Sequence, residues 1–511
     1  MSTLEALVAL LLGTALNAFS SGKWATPLAA WLAPVFLLHF ARSQSTAVAV
    51  GGVALALFVS VWLANRGVIP VPGLASVAIS ALIALATLAP YIADRLLAPR
   101  ISGVAATLVF PLAWAAMEFA ASRWSPYGTW GAVAHSQYGN LPLMQLVSVS
   151  GVAGIGFLVA WFASVVVSAW SRSAEPLAGQ QALLIYAAVW SVVMLGGGAR
   201  LAFSATPEKS VRVATIGWPE GILAPADWMR TIAPGYANED RESLRAGFTR
   251  INEHFFDATR REAQAGAKIV VWPEANAMTF ADDEAALLDR ARQLAREQAI
   301  DLLIGMAVVH VGSDRRFENK AVLIDPQGQV ALSYTKAIPV PGFEARVSRA
   351  GKRQLLTHAS AHGRVTTAIC FDLDFPHFIR QVGQAEADLL LVPASDWEAI
   401  KSLHFEAAVF RAIENGVPMV RATRWGLSGV VEPYGRVLAQ LDPFIEGARD
   451  MVVQLAPGGV RTIYARWGDW FGWTALVVAV SGLGLAWRTV NAENLAGTRT
   501  GPAEKLPSAN L

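Results

Sequence analysis

Between Thr46 and Ala64 the chain carries no charged residue, and Val147–Trp170 and Ala182–Ala199 repeat that pattern. A helix needs roughly 20 apolar residues to cross the hydrocarbon of a bilayer. Lipid offers no partner to backbone N–H and C=O groups, so a chain with such runs must satisfy those groups internally, as helices do. Further runs at Ala6–Phe19, Ala25–Phe40, Pro72–Ile92, Val104–Ala121 and Trp470–Trp487 bring the expected spans to eight. The first could instead be a cleaved signal peptide, but it lacks a basic leader and Leu7–Leu12 leads directly into the second run.

Composition agrees with a chain partly solvated by lipid. Of 511 residues, 54% are hydrophobic and 16% charged, where a soluble protein carries about a quarter charged. The apolar excess stops near Phe203–Lys209. We therefore expect a transmembrane domain of about seven helices over 1–205 and a soluble domain over 206–465. A last span over 466–488 and a polar, disordered tail over 489–511 complete the division.

Charge distribution predicts the orientation. With a cytoplasmic N-terminus, the inner loops and tail hold Arg42, Arg95, Arg100, Arg172, Arg488, Arg499 and Lys505, and the outer loops only Lys23, Arg66 and Arg123. This asymmetry favours a soluble domain outside the cytoplasm. Trp24, Trp31, Trp62, Trp124, Trp130, Trp467, Trp470 and Trp473 sit near span ends and read as an interfacial aromatic belt. The glycines of Ser150–Gly156 suit close helix packing.

The soluble part alternates strand and helix patterns. Strands are expected at Val211–Gly217, Lys268–Trp272, Asp301–Val308, Lys320–Ile324, Val330–Tyr334, Val365–Phe371, Asp388–Pro393 and Pro418–Thr423. Helices are expected at Asn238–Ala265, Asp283–Glu297, Pro376–Gln384 and Lys401–Asn415. Asp325-Pro326-Gln327-Gly328 and Glu432-Pro433-Tyr434-Gly435 read as hairpin turns. This rhythm predicts a layered α/β domain with helices outside the sheets. Net charge is +2 and the soluble part has no basic cluster, which argues against a nucleic-acid partner.

There is one cysteine, Cys370, so no internal disulfide forms and no CxxC metal motif exists. A strand cysteine is commonly core packing; the other reading is a nucleophile. A thiol attacks a carbonyl as the thiolate, which needs a base within reach and a positive group nearby. Glu274 in Val270-Val271-Trp272-Pro273-Glu274 and Lys336 after Tyr334-Thr335 each follow an apolar strand, as does Cys370 in Ala368-Ile369-Cys370-Phe371-Asp372. Taken singly, that glutamate and lysine read as solvated loop residues.

Together and in this order, the three resemble the Glu–Lys–Cys triad of the nitrilase superfamily. With the membrane segments added, the chain resembles the apolipoprotein N-acyltransferase family. The likeness includes Pro111-Leu112-Ala113-Trp114 with Glu118, Gln145–Gly154, Arg421-Ala422-Thr423 with Gly426 and Ser428, and Tyr464-Ala465-Arg466 before Gly468-Asp469-Trp470-Phe471. It implies a polytopic α-helical membrane bundle plus a nitrilase-like α-β-β-α sandwich. It further implies Glu274 as general base, Lys336 as oxyanion stabiliser and Cys370 as nucleophile, with the Phe371 N–H, Glu344 and Asp372 in support. The implied reaction moves an acyl chain from a membrane phospholipid, through a cysteine thioester, to the N-terminal amine of a lipid-modified lipoprotein. The implied location is the bacterial inner membrane, with no cofactor or metal.

The chain departs from the family's pattern at Ala337–Glu344, where Phe and Gly are exchanged, at a shortened stretch between Glu344 and Cys370, and at Ala394–Ala399. These departures keep two alternatives open, a membrane-tethered amidase and a non-catalytic homologue. His404 and Glu406 read as structural residues of a helix.

Overall fold

The computed structural model describes residues 2–69, 71, 73–170, 176–204, 209–218, 241–311, 313, 316–445 and 450–499. Among the described residues, seven α-helices of 16 residues or more precede the soluble part: α1 (Thr3–Ala18), α2 (Pro27–Ser43), α3 (Thr46–Asn65), α4 (Leu74–Leu97), α5 (Val109–Trp124), α6 (Val152–Trp170) and α7 (Pro176–Ala202). Among the described residues, five helical segments are long and apolar enough to cross a membrane: α3, α6, and those containing α4, α5 and α7. The expected span Val147–Trp170 is broken at Gly151, whose φ of +66° ends a short turn at Ser150 before α6 begins. A residue with a side chain rarely adopts that conformation, so the glycine separates two helical pieces that hydropathy alone merges.

Apolar packing holds the bundle, with one ion pair as a clamp. Arg42 of α2 makes a bidentate contact with Asp94 of α4 at 2.8 and 2.9 Å and reaches Ser164 and Ser168 of α6. Both residues lie in the last four positions of their helices, and this fork satisfies both partners while fixing three helices. Trp24, Trp124, Trp467 and Trp473 are exposed as an interfacial belt requires. Trp31 is different: it packs edge-on against Phe162 and Trp190 and donates to Gln137 at 2.8 Å, so it belongs to the interior.

The soluble part folds into two mixed sheets. The first runs β13 (Met451–Leu455), β1 (Val211–Thr215), β2 (Ile269–Val271), β4 (Asp301–Val309), β5 (Phe317–Ile324), β6 (Val330–Thr335), with β3 (Ala277–Phe280) also on β4. The second runs β12 (Val437–Leu441), β11 (Ser428–Val431), β10 (Met419–Arg424), β9 (Leu389–Ser395), β8 (Gly363–Thr367), β7 (Thr357–Ser360). β1, β2 and β4 are parallel in one sheet, and β8, β9 and β10 in the other. Side chains alternate across a strand. Ile269 and Val271 thus pack in the core shared with Leu389, Leu391 and Met419, whereas Val270 between them packs under α8 (Arg241–Gln264) and α9 (Glu284–Gln298). On the far side, α10 (Pro376–Gln384) and α11 (Lys401–Asn415) cover the second sheet through Phe378, Ile379, Phe405 and Val409. The helix–sheet–sheet–helix layering is the expected sandwich.

Some boundaries differ from expectation. β8 ends at Thr367 rather than running to Phe371, and β3, β7 and β13 are additional strands. Residues 219–240, and with them the start of the expected Asn238–Ala265 helix, lie outside the described residues. The last helix, α12 (Trp470–Arg499), continues past the expected end at 488, and residues 500–511 lie outside the described residues.

The membrane and soluble parts meet at specific atoms. Thr129, in the loop after α5, donates from its N–H at 2.8 Å and its hydroxyl at 3.1 Å to the Asp374 carbonyl. Gln145 donates to the Tyr434 carbonyl at 2.9 Å, the Val152 N–H to Glu414 at 3.2 Å, and the Trp397 indole to the Val68 carbonyl at 3.1 Å.

Candidate active site

Glu274, Lys336 and Cys370 come from three strand ends, and the fold brings them together. Glu274 follows β2 after Trp272-Pro273, and its N–H donates to the Ala394 carbonyl at 3.3 Å, tying the first sheet to β9 of the second. Lys336 is the residue after β6, and its N–H donates to the Asn319 carbonyl of β5 at 2.8 Å. Its side chain, 2% exposed, lies 2.9 Å from Glu274 Oε1. Glu344, in the helical turn Phe343–Val347, contacts the same ammonium at 2.9 and 3.0 Å. Asn319 donates to Glu274 at 2.5 Å and to Glu344 at 3.1 Å, fixing the carboxylates against each other. Burial drags the Lys336 ammonium down, but Glu274, Glu344 and the Cys370 sulfur outweigh it and hold its pKa well above the ordinary lysine range.

Cys370 opens a 3₁₀ turn, Cys370–Asp374, with φ at +48°. A left-handed conformation costs a residue with a Cβ about 1–2 kcal/mol, and such strain persists only where the surroundings fix it. This sharp reversal comes three residues after β8 ends at Thr367. The thiol donates to the Ser395 carbonyl at 3.5 Å and is 4% exposed. Burial pushes its pKa up and Glu274 adds to the rise, against the pull of Lys336 and His404. The resting sulfur therefore keeps its proton at neutral pH, and attack requires a base. Glu274 Oε2 is buried and has no hydrogen-bond partner among the described residues, so one lone-pair face of that carboxylate is open to a proton.

Asp372 does not point at the ammonium. It accepts the Tyr334 hydroxyl at 2.6 Å, the Ile338 N–H at 2.9 Å and the Ile369 N–H at 3.0 Å, so it braces the backbone on both sides. Burial pushes its pKa up to about 7 despite these donors. Phe371 follows the sulfur with its ring edge-on to Phe375.

Several polar groups of the site were not singled out as site residues from the sequence. Asn319 is one, and its signal was a polar residue inside the inward series Phe317, Ala321, Leu323 of β5. Arg424 is another: it donates to Ser395 and the Ala275 carbonyl and stacks over Trp425 at 4.4 Å and Trp218 at 5.3 Å. Burial lowers its pKa to about 9, with Glu274 and Cys370 opposing the fall. His404, expected as a structural residue, sits with Asp396 beside the sulfur; one ligand-type atom from each of Cys370, Asp396 and His404 lies within 4.8 Å of the others. Those donors would suit a soft cation, but Arg421 already holds Asp396 at 2.9 Å, so a cation would have to displace a guanidinium.

A buried thiol, a carboxylate with a free oxygen and an ammonium, set between the sheets of an α-β-β-α sandwich, define a carbon–nitrogen hydrolase type of site. The carbon-nitrogen hydrolase family model matches residues 233–462, and the model of the apolipoprotein N-acyltransferase N-terminal domain matches residues 12–165. Along both its membrane and its soluble part the chain is similar to the apolipoprotein N-acyltransferases. It is 26% identical over 411 residues to the apolipoprotein N-acyltransferase of Geobacter metallireducens, covering 76% of this chain and 75% of that one. The Gloeobacter violaceus protein of that name is 28% identical over 408 residues, covering 75% and 73%. Among solved structures, an amidase from Nesterenkonia sp. is 22% identical with a TM-score of 0.40, covering 50% of this chain and 94% of that one.

Proposed function

We propose that this protein transfers a fatty acyl chain from a membrane phospholipid to the N-terminal amine of a diacylglyceryl-modified lipoprotein. Glu274 takes the Cys370 proton as the sulfur attacks the ester carbonyl. Lys336 and the Phe371 N–H stabilise the oxyanion, and collapse expels a lysophospholipid that recovers the proton from Glu274. The amine then attacks the thioester, gives its proton to Glu274, and the thiolate leaves. Glu344 balances Lys336, and Asp372 keeps the lysine strand and the cysteine turn in register. The domain limits at 205, 465 and 488 follow the composition shifts, and the arginine asymmetry of the loops supports a catalytic domain on the extracytoplasmic side.

The observation that carries this reading is the contact of Thr129 with Asp374, which ties the cysteine-bearing turn directly to a loop of the membrane bundle. An enzyme whose two substrates both reside in a bilayer needs its nucleophile at that junction; an enzyme acting on soluble amides does not. The test is intact-mass spectrometry of the purified protein after incubation with phospholipid vesicles. An acyl adduct on Cys370, stable in water and discharged by a lipidated peptide with a free amine, is expected. No adduct, or one that hydrolyses without acceptor, would overturn acyl transfer, the latter in favour of an amidase.

A further inference from the structure

Glu274 and Glu344 set two carboxyl groups against the one Lys336 ammonium in a buried space. Passing the Cys370 proton to Glu274 leaves one carboxylate against one ammonium, so this cluster alone gives the sulfur anion no surplus positive charge; the buried Arg424 guanidinium also acts on the sulfur. A second buried set lies near the sulfur. His404 of α11 places Nδ1 2.6 Å from Asp396 Oδ1 and Nε2 3.0 Å from Asp374 Oδ2. Arg421 of β10 contacts both Asp396 oxygens at 2.9 and 3.1 Å. Nδ1 also lies 3.1 Å from the Arg421 guanidinium, and Asp374 Oδ2 accepts no hydrogen bond among the described residues, so Asp374 acts on Nε2 as a nearby carboxylate; a carboxylate beside each ring nitrogen favours the doubly protonated ring.

We infer that His404 is held as an imidazolium by Asp374 and Asp396, and that its fixed positive charge stabilises the Cys370 thiolate during acyl transfer. It is a positioning residue and keeps its proton throughout; the Cys370 proton still goes to Glu274. This role rests on the reading of Cys370 as the nucleophile. The acidic and basic side chains against His404 are Asp374 of the cysteine turn, Asp396 after β9 and Arg421 of β10. His135, from the loop before α6, also feels it and is held neutral, its pKa lowered to about 3 by burial, Arg411 and His404. Burial opposes the charge on His404, but Asp396 and Asp374 outweigh it and lift its pKa well above the ordinary range. That positive charge in turn pulls the thiol down against burial and Glu274.

Because Cys370 is the single cysteine of the chain, alkylation of the full-length protein by iodoacetamide reports this sulfur alone. The rate is measured from pH 5 to 10 for the natural protein, His404→Gln and Asp374→Asn in the same detergent, with melting temperatures alongside. The expected result is a midpoint about one pH unit or more higher in His404→Gln, making alkylation at pH 7 about tenfold slower. A smaller shift in the same direction is expected for Asp374→Asn, whose His404 keeps Asp396. A purely structural role would lower the melting temperature and leave the midpoint in place; unmoved midpoints in the folded variants would overturn the inference. If His404→Gln fails to fold, Asp374→Asn decides alone. An acyl adduct on Cys370 with unmoved alkylation profiles would remove the imidazolium role and leave the nucleophile standing.

Discussion

Tyr334 donates a 2.6 Å hydrogen bond to Asp372, joining the strand that carries Lys336 to the turn that carries Cys370. Each of the two residues is two positions from the group it holds, and Asp372 also accepts the Ile338 and Ile369 N–H groups. This carboxylate ties the first sheet to the cysteine turn.

Tyr334→Phe removes one donor and leaves the ring's apolar packing in place. A hydrogen bond of this kind contributes about 0.5–1.5 kcal/mol, more where the acceptor is ionised. The variant should melt several degrees lower in detergent and form the Cys370 acyl adduct more slowly. An unchanged melting temperature and adduct rate would show that Asp372 does not depend on Tyr334.

How much of this was legible from the chain differs by element. Helices α10 and α11 match their expected limits because an amphipathic stripe states where a helix lies. The end of β8 was not legible: Val365–Phe371 reads as one apolar run, and no apolar pattern announces that Cys370 sits at φ +48°. β13 pairs with β1, far away in sequence, and such pairing leaves no local period to read. Glu274, Lys336 and Cys370 were legible by type and by following strands; His404 was visible on its helix, yet only the folded β9 end supplies the Asp396 that gives it a task. Asp372 was expected in a supporting place, and only the folded chain supplies the Tyr334, Ile338 and Ile369 donors that it braces.

The junction with the membrane bundle yields a second prediction. Gly128 has φ +57°, and a Cβ there would meet the Asp374 carbonyl oxygen at 2.2 Å. Gly128→Ala therefore combines a left-handed backbone, costing about 1–2 kcal/mol, with a steric push on the turn that bears the nucleophile. Acyl-adduct formation from vesicles should fall at least tenfold, while Ala substitution at Gly131, where a Cβ has open space, pays only the backbone strain. Equal adduct rates in the two variants would mean that contact with Asp374 is unimportant.

Glu344 shares the Lys336 ammonium with Glu274 and also accepts the Val340 N–H at 2.7 Å. Glu344→Gln keeps the shape and leaves the ammonium with one carboxylate instead of two. Adduct formation should slow by about tenfold, a loss near 1.4 kcal/mol in the barrier. Lys336→Met, which removes the cation, should abolish it. If Glu344→Gln were as inactive as Lys336→Met, Glu344 would have to act on the reacting atoms rather than through the lysine. Rate constants from a time course of intact mass separate these outcomes.

The pKa of Asp372 gives the stability of the fold a pH dependence with a definite sign. Burial raises it from 3.8 to about 7, so between these values the folded chain binds a proton that the unfolded chain has released. Stability from this group is full below the unfolded value, declines as pH rises from about 4, and is lost by the time pH passes the folded value. The change is on the order of 4 kcal/mol for a fully buried carboxyl. Asp372→Asn cannot titrate. It starts weaker, because an amide offers one acceptor oxygen where three donors converge, but it should lose less stability than the natural protein between pH 4 and 8. Thermal unfolding of both proteins at matched detergent and salt across that range checks the difference in slope. Parallel curves would mean that Asp372 has the same proton affinity folded and unfolded, and that its three donors already balance its burial.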